Sequence, residues 1–296
     1  MLRVCYIVNG RRCSREVVDE LRGQIGLGQV CVTERRGHAT EIARRAALEG
    51  YDIVVVRGGD GMANEVINGL APGFEPAFGI DPDGTGMDLP RNLGYDVDNF
   101  IGSPEVYREA LVEGLISLVD LISVQRPGNT LFCGNILSFG FSALVVEIID
   151  RFEIRTRKMY TEVGKQLAWG MSPILIKRPY CGLILDVYVT NGPRIAGGIS
   201  IAPGASMSDG RLELLIIPNR DRVSRYVLLA LARLGWIRSR FVNRMFGVRA
   251  SWIQDNVVFE AVTPTRAQMD GEPLKEAFGL AEVGVEPRRL RVLVPR

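Results

Sequence analysis

The sequence predicts two domains of different class, an N-terminal doubly wound α/β domain and a C-terminal, mainly antiparallel β domain. Three observations carry this. From Arg3 to about Ile80, strand-like apolar runs alternate with helix-like segments, the pattern of a parallel sheet covered by helices. The most apolar run, Ile53 to Val56, is broken by Gly58-Gly59-Asp60-Gly61 and followed at helical spacing by Val66, Ile67 and Leu70. Near Val119 the character changes to β-type runs separated by turn signals.

Arg3 to Val8 alternate into a short strand that Asn9-Gly10 ends, with Arg11 and Arg12 in the turn. Glu16 to Leu21 read as a helix and Val30 to Thr33 as a second strand. Gly37 to Glu49 read as a helix with Thr40 as its expected cap and Ile42, Ala43, Ala46 and Ala47 on its packed side. The strand, glycine turn and helix of residues 53–70 follow, then a strand over Phe78 to Ile80. Ligands of such folds sit at the carboxyl ends of strands. Asn9, Thr33, the Gly58 to Gly61 turn and the Gly84-Thr85-Gly86 turn all follow strands and could line one crevice. In the second half Asn129 to Phe141, Gly182 to Thr190, Gly198 to Ala202 and Leu212 to Ile217 read as strands. Asn191-Gly192 is a hairpin signal between two of them. A sandwich is one form such a domain takes. Helical segments are expected over Glu162 to Ile176 and Arg222 to Phe246, the latter one helix or two joined near Gly235, and Arg289 to Val294 is a last strand.

Composition narrows the function. The chain has 296 residues, 47% of them hydrophobic and 24% charged, a globular balance that can bury a large core. Net charge is only +2, so the molecule is no polycation and no nucleic-acid partner is expected. Cys5, Cys13, Cys31, Cys133 and Cys181 are scattered and form no Cys-x-x-Cys, which argues for a reducing compartment and against a zinc cage. His38 is the single histidine, expected in a loop near a helix start, and a His-rich metal site is excluded. No apolar stretch reaches membrane-spanning length, and the first ten residues are too soon interrupted for a signal peptide. The expected location is cytoplasmic.

The chemistry is read from three acid-bearing turns. A strand, a glycine turn and a helix N-terminus suit a phosphate, because bare backbone N–H groups and the helix dipole favour an anion. Asp60 inside that turn would repel a bare phosphate, so it implies a cation or bridging water; the plainer alternative is a helix cap. A second turn, Asp83-Gly84-Thr85-Gly86-Met87-Asp88, follows closely. Two such turns point to a nucleotide polyphosphate with a cation. Neither Gly-x-Gly-x-x-Gly nor the Gly-Lys-Ser/Thr ending is present, which argues against a Rossmann dehydrogenase or a P-loop ATPase. In Gln268-Met269-Asp270-Gly271-Glu272 two carboxylates stand two residues apart; extended backbone would face both to one side, as a base for a hydroxyl requires. A plain surface turn is the alternative. Ser206 to Arg211 could bind a cation through Asp209 and nearby carbonyls, or be only a turn. Arg220 to Arg249 holds eight arginines, one acid and many apolar residues at helical spacing, the composition of a membrane-surface helix or of a packed helix with a solvated basic face.

Together these motifs resemble the diacylglycerol kinase catalytic domain family, which includes bacterial soluble lipid kinases and the sphingosine and ceramide kinases. Gly58-Gly59-Asp60-Gly61 with Asn64-Glu65-Val66-Ile67-Asn68-Gly69-Leu70 resembles its nucleotide-binding motif. Gly84-Thr85-Gly86 with Asp88 and Arg91-Asn92-Leu93-Gly94 looks like its second, Ala202-Pro203 with Ser208-Asp209-Gly210 like its third, and Asp270-Gly271-Glu272 like its catalytic motif. The resemblance implies an α/β domain over residues 1–119, completed by 286–296, a β-sandwich over 120–285 that takes the lipid, and a cleft between them. It implies transfer of the ATP γ-phosphate to a lipid hydroxyl with magnesium. ATP contacts would come from Asn9, Thr33, Gly59, Asp60, Gly61, Met62, Ala63, Asn64, Glu65 and Thr85. Glu272 would be the proton acceptor with Asp270 beside it, and Asp60, Asp88 and Asp120 would organise magnesium and water. Ser206, Asp209 and Arg211 would hold a second, structural magnesium, the first and last by backbone carbonyl. Expected partners are ATP, a lipid and an anionic membrane surface, and a homodimer is left open.

Three departures stand out. The family usually has Thr at Met62, Asn at Met87, and Asn-Pro with a lysine-bearing turn where this chain reads Asn9-Gly10-Arg11-Arg12. Each removes a polar group near the phosphates. The rival readings are a kinase of a soluble acceptor, as in the related NAD kinases, and a nucleotide-binding regulator that has lost catalysis.

Overall fold

The computed structural model describes residues 2–71, 73, 75–126, 128–152 and 156–295, and these form two compact units. The first comprises residues 1–120 and 287–296, the second residues 121–286.

In the first unit the order is β1 (Val4–Val8), α1 (Arg15–Gln24), β2 (Gly28–Val32), α2 (His38–Leu48), β3 (Ile53–Gly58), α3 (Asp60–Leu70), β4 (Ala77–Pro82), α4 (Asp88–Asn92), α5 (Pro104–Val112) and the start of β5 (Ile116–Arg126). The strands are parallel in the order β2-β1-β3-β4. All five residues of β1 are buried, as a strand covered on both faces requires. Val4, Tyr6 and Val8 pack with Val18 and Leu21 of α1 and Tyr107 of α5. The α5 helix begins at Ser103, whose side chain caps Val106 N, with Pro104 at the first position. That signal is in the sequence, yet α4 and α5 are absent from the sequence reading. Thr40 is not a cap: α2 starts from Gly37 in the left-handed region, and the Thr40 hydroxyl donates to the Glu65 carbonyl at 2.8 Å, tying α2 to α3.

The second unit continues with β6 (Asn129–Cys133), β7 (Ile136–Gly140), α6 (Phe141–Ile149), α7 (Arg157–Gly170), β8 (Ile174–Arg178), β9 (Gly182–Thr190), β10 (Arg194–Ile195), β11 (Ile199–Ser200) and β12 (Leu212–Pro218). Then come α8 (Arg222–Arg233), α9 (Arg240–Phe246), β13 (Arg249–Ile253), β14 (Val257–Thr265), β15 (Ala267–Met269), β16 (Glu272–Pro273) and β17 (Phe278–Leu293). The pairing is antiparallel, and β9 is the shared strand. One branch runs from it through β7 to β15 and β16, the other through β8 to β14 and the first part of β17. Phe139 of β7 stacks on Phe259 of β14 at 5.0 Å and meets Phe278 of β17 edge-on at 5.9 Å, so the two branches share one core. This is the β-rich half, as expected.

Three expectations change here. The helix expected to Ile176 ends at Gly170, and Ile174 and Ile176 alternate inward in β8 with period two. Asn191-Gly192 is not a two-residue hairpin. The β9 strand pairs with β7, β8 and β12, and Asn191 is buried against the turn after β6. The last strand is much longer than Arg289 to Val294: its end near Val292 pairs parallel with Phe78 as the fifth strand of the first unit. No helix among the described residues is long and apolar enough to cross a membrane.

Candidate active site

In the first unit the strand order reverses between β1 and β3, and the turns after β1, β2, β3 and β4 share one edge, where open α/β sheets bind ligands. These turns interlock. Asn9 N donates to the Arg57 carbonyl at 3.2 Å, Gly10 N to the Thr33 hydroxyl at 3.3 Å, and Asp83 N to the Gly58 carbonyl at 3.1 Å. The Arg12 guanidinium reaches the Thr85 hydroxyl at 3.4 Å, so the turn that lacks the family's lysine still brings a cation to the second glycine turn.

The two glycine turns lie backbone to backbone. A Cβ on Gly84 would come within 2.5 Å of the Gly59 Cα, so the approach exists only because position 84 is bare. Asp60 fastens the pair. Its Oδ2 accepts from Asp88 N and its Oδ1 from Leu89 N, both at 3.0 Å. The α4 helix has no side-chain cap of its own, because its N-cap is Met87 at φ +57, and Asp60 supplies the cap from the other turn. The helix that Asp60 caps is therefore α4 and not its own α3, and the Asp60 and Asp88 carboxylates also face the same bare glycine. A Cβ on Gly86 would lie 2.8 Å from Asp60 Oδ2 and 3.7 Å from Asp88 Oδ2. Two carboxylates without sulfur or imidazole suit a hard cation. No group of three or more His, Cys, Asp or Glu converges among the described residues, so such an ion would complete its shell with water or ligand oxygens.

The α3 helix starts from Gly59 without a side-chain cap, and its first turn closes with Ala63 N on the Gly59 carbonyl at 3.1 Å. The first-turn N–H groups of Gly61 and Met62 are thus at an anion-binding helix terminus. Three further expected ATP contacts are engaged within the protein. Ala63 is buried in the core, Asn64 accepts from the Asn68 amide at 2.9 Å through its carbonyl, and the Glu65 carboxylate accepts from Gly37 N at 2.8 Å. The Met62 side chain lies over Gly58, where its sulfur would meet a Cβ at 2.8 Å. Asp120 is fully buried, and its Oδ1 accepts from Arg288 N at 2.6 Å where the chain returns to the first unit with Arg288 at φ +51.

In the second unit the backbone at Asp270 is not extended. Asp270 (φ +47) and Gly271 (φ +83) form a left-handed turn between β15 and β16. The two carboxylates therefore do not share a face by strand alternation. Asp270 points inward. It accepts from the backbone N–H of Gly134 at 2.8 Å, Asn135 at 3.0 Å and Ile136 at 2.8 Å, with the Cys133 thiol at 3.2 Å. Burial pushes its pKa up, against the pull of these donors. Glu272 is half-buried and pairs with Met269 across the hairpin.

The hairpin is braced by residues the sequence reading missed. Asn191 Nδ2 donates to the Gly134 carbonyl at 2.9 Å, and Asn135 Nδ2 to the Arg194 carbonyl at 3.0 Å. Gly271 N donates to the Gln268 side chain at 2.8 Å, and Gln268 donates to the Ser138 hydroxyl at 2.7 Å. Ser142 donates to Ser138 at 2.7 Å, and the Ser142 N–H ends the chain on buried Asp186 at 2.8 Å. Burial raises Asp186 to about 7, opposed by bonds from Tyr188, Ser142 and Val187. Asp209, expected at a structural magnesium, is engaged by its neighbour: Arg211 N donates to Oδ1 at 3.1 Å and the Arg211 guanidinium pairs with Oδ2 at 3.1 Å. Arg211 also lies over the Trp252 ring. An ion bound there would compete with that guanidinium.

Residues 3–124 match the diacylglycerol kinase catalytic domain, and residues 178–294 match the YegS C-terminal NAD kinase beta sandwich-like domain. A protein of Chromohalobacter salexigens named "Probable lipid kinase YegS-like" is 30% identical over 71% of this chain and 70% of its own length. The chain belongs to the diacylglycerol kinase catalytic domain family. Among other members, the diacylglycerol kinase of Bacillus subtilis (strain 168) is 28% identical over 61% of this chain, a match that spans 60% of the Bacillus protein. The crystal structure of a diacylglycerol kinase from Bacillus anthracis str. Sterne has the same fold, with a TM-score of 0.67 at 18% identity over 98% of this chain and 96% of that one. The fold likeness extends to an NAD kinase from Archaeoglobus fulgidus in complex with ATP, with a TM-score of 0.54 at 11% identity over 100% of this chain and 94% of that one.

Some of the missed residues have a recognisable signal in this sequence. Arg57 and Asp81 end β3 and β4, their side chains pair at 2.7 Å, and Tyr6 donates to the same Asp81 oxygen at 2.6 Å. A charged residue closing an apolar parallel strand needs a partner at the same edge. Asn135 is a polar residue between the apolar runs of β6 and β7, which has the same meaning, whereas Asn191 follows the end of β9 and carries no such signal.

Proposed function

We propose that this family member transfers the γ-phosphate of ATP to the hydroxyl of a lipid, diacylglycerol or one of similar build, with magnesium. The observation that supports it most is the joining of the two glycine turns through Asp60, which sets first-turn N–H groups beside two carboxylates. On this reading the N–H groups of Gly61 and Met62, with Thr85 and Arg12, bind and orient the ATP phosphates. Asp60 and Asp88 hold the cation, which when bound neutralises phosphate charge. Glu272 takes the proton from the lipid hydroxyl, and Asp270 acts on it by fixing the hairpin. Phosphoryl transfer gains mainly from such positioning and electrostatics. A lipid acceptor places the work at a membrane surface.

The test is incubation of the purified protein with γ-labelled ATP and magnesium against diacylglycerol, sphingosine and ceramide in mixed micelles, and against NAD. Label in the diacylglycerol fraction is expected. Label in NAD instead would establish the soluble-acceptor reading. ATP binding without transfer to any acceptor would establish the regulator reading.

A further inference from the structure

Residues 220–249 carry eight arginines and one acid, Asp221. The fold draws two of those arginines inward. Arg225 is buried, donating to the Met171 carbonyl at 2.7 Å and to the Asn219 side chain. Arg238 is paired with buried Glu213, and Arg220 donates to the Phe246 carbonyl at 2.9 Å. Asp221 caps α8 through Ser224. Arg220, Arg222, Arg233, Arg240, Arg244 and Arg249 stay on the surface with their charges, and Arg220 lines a groove with Val223 and Met245.

The same helices expose side chains that an ordinary packed helix would bury. On α8, Val223 and Val227 are one turn apart and 66% and 41% exposed; on α9, Phe241 and Met245 are one turn apart and 60% and 57% exposed. Leu234 and Trp236, in the link, are exposed too. Val223, Val227 and Met245 line a single groove, so the two apolar stripes form one strip. Arg222 lies over the half-exposed Trp169 ring at 5.3 Å, adding a further indole to the rim.

We infer that this strip and its arginine rim seat the protein on an anionic phospholipid leaflet, which rests on the lipid-acceptor reading for its purpose but not for its chemistry. Charge complementarity selects the occupant. Arginines around indole, phenyl and aliphatic groups match headgroup phosphates above acyl chains. A nucleic acid would offer the phosphates but no counterpart for Phe241 and Met245. A second copy of the chain would set six arginines against six. Arg238 has no part in this surface, contrary to its expected place in the basic face.

The test is co-sedimentation with vesicles of phosphatidylcholine alone or mixed with phosphatidylglycerol. The protein is expected to bind the mixed vesicles and to be released at ~0.5 M salt, where screening is short-ranged. Arg240→Glu with Arg244→Glu, and separately Phe241→Ser with Met245→Ser, should each lower partitioning about tenfold or more. Arg15→Glu with Arg44→Glu makes the same change in net charge elsewhere and should bind like the parent. Equal binding by parent and patch variants, or a dimer in solution that the patch variants dissociate, overturns the inference. Activity on a short-chain lipid in micelles should persist in the patch variants. If the parent phosphorylates no lipid yet binds vesicles through this strip, the kinase reading fails and the surface stands.

Discussion

Asp60 and Asp270 occupy similar sequence settings, each an acid followed by a glycine in a tight turn, and the fold uses them in opposite ways. Asp60 accepts two N–H groups from another turn, stays half-exposed and faces a bare glycine that a second carboxylate also faces. Asp270 is sealed in the interior by three backbone N–H groups and a thiol. An acid's role is set by how many donors its surroundings supply and whether room remains for a ligand, and neither is local in sequence.

The comparison breaks most visibly in stability. Asp270→Ala leaves three N–H groups without their acceptor, so urea denaturation should show a loss of about 3–5 kcal/mol. A loss no larger than that of Asp60→Ala would mean that the two acids do not differ as described. Asp60→Asn keeps one cap oxygen and should cost about 1 kcal/mol of stability. Its turnover should nevertheless fall about a hundredfold or more, as when an electrostatic group is removed from a transition state. Unchanged turnover at saturating magnesium would leave Asp60 a cap and nothing else.

The glycines sharpen the same contrast. A Cβ at Gly84 meets backbone at 2.5 Å, whereas one at Gly59 meets it at 3.4 Å. Gly84→Ala should therefore cost about 1–3 kcal/mol by overpacking, and Gly59→Ala clearly less, in thermal denaturation. Equal costs would show that the turns separate freely.

A further contrast lies in pH. Because the Asp186 carboxyl is raised from 3.8 to about 7 in the fold, the folded protein binds the extra proton in that interval. This contribution to stability is present at low pH and lost as pH rises through that interval. Asp186→Asn should flatten that part of the stability profile. A profile parallel to the parent's would mean that Asp186 is ionised throughout.

What was legible in the sequence was local. The run Ile53–Val56, its glycine turn and the helix behind it are recognisable without any partner, and so is the change of character near Val119. Thr40 reads as a cap because a hydroxyl near a helix start usually is one; its real acceptor is the Glu65 carbonyl, 25 residues on. Asn191-Gly192 has the composition of a hairpin, but the amide is taken by a turn 57 residues away. For Asp270 the sequence leaves extended backbone and a turn both open; the left-handed φ decides for the turn, and the donors that hold the acid come from residues 133–136. The link between the glycine turns is likewise long-range, through a side chain that caps a helix with no cap of its own.

The second unit is inserted between two pieces of the first, and this orders events during synthesis. The fifth strand of the parallel sheet comes from residues made only after the second unit, with Val292 beside Phe78, the Leu293 carbonyl on the Tyr95 hydroxyl and Val294 N on the Leu115 carbonyl. While the ribosome makes residues 121–286, the nascent α/β sheet has β4 as an unguarded edge, the kind of strand that recruits other chains. Its completion waits on a contact more than two hundred residues distant, so folding of the first unit is coupled to the speed with which the inserted unit finishes.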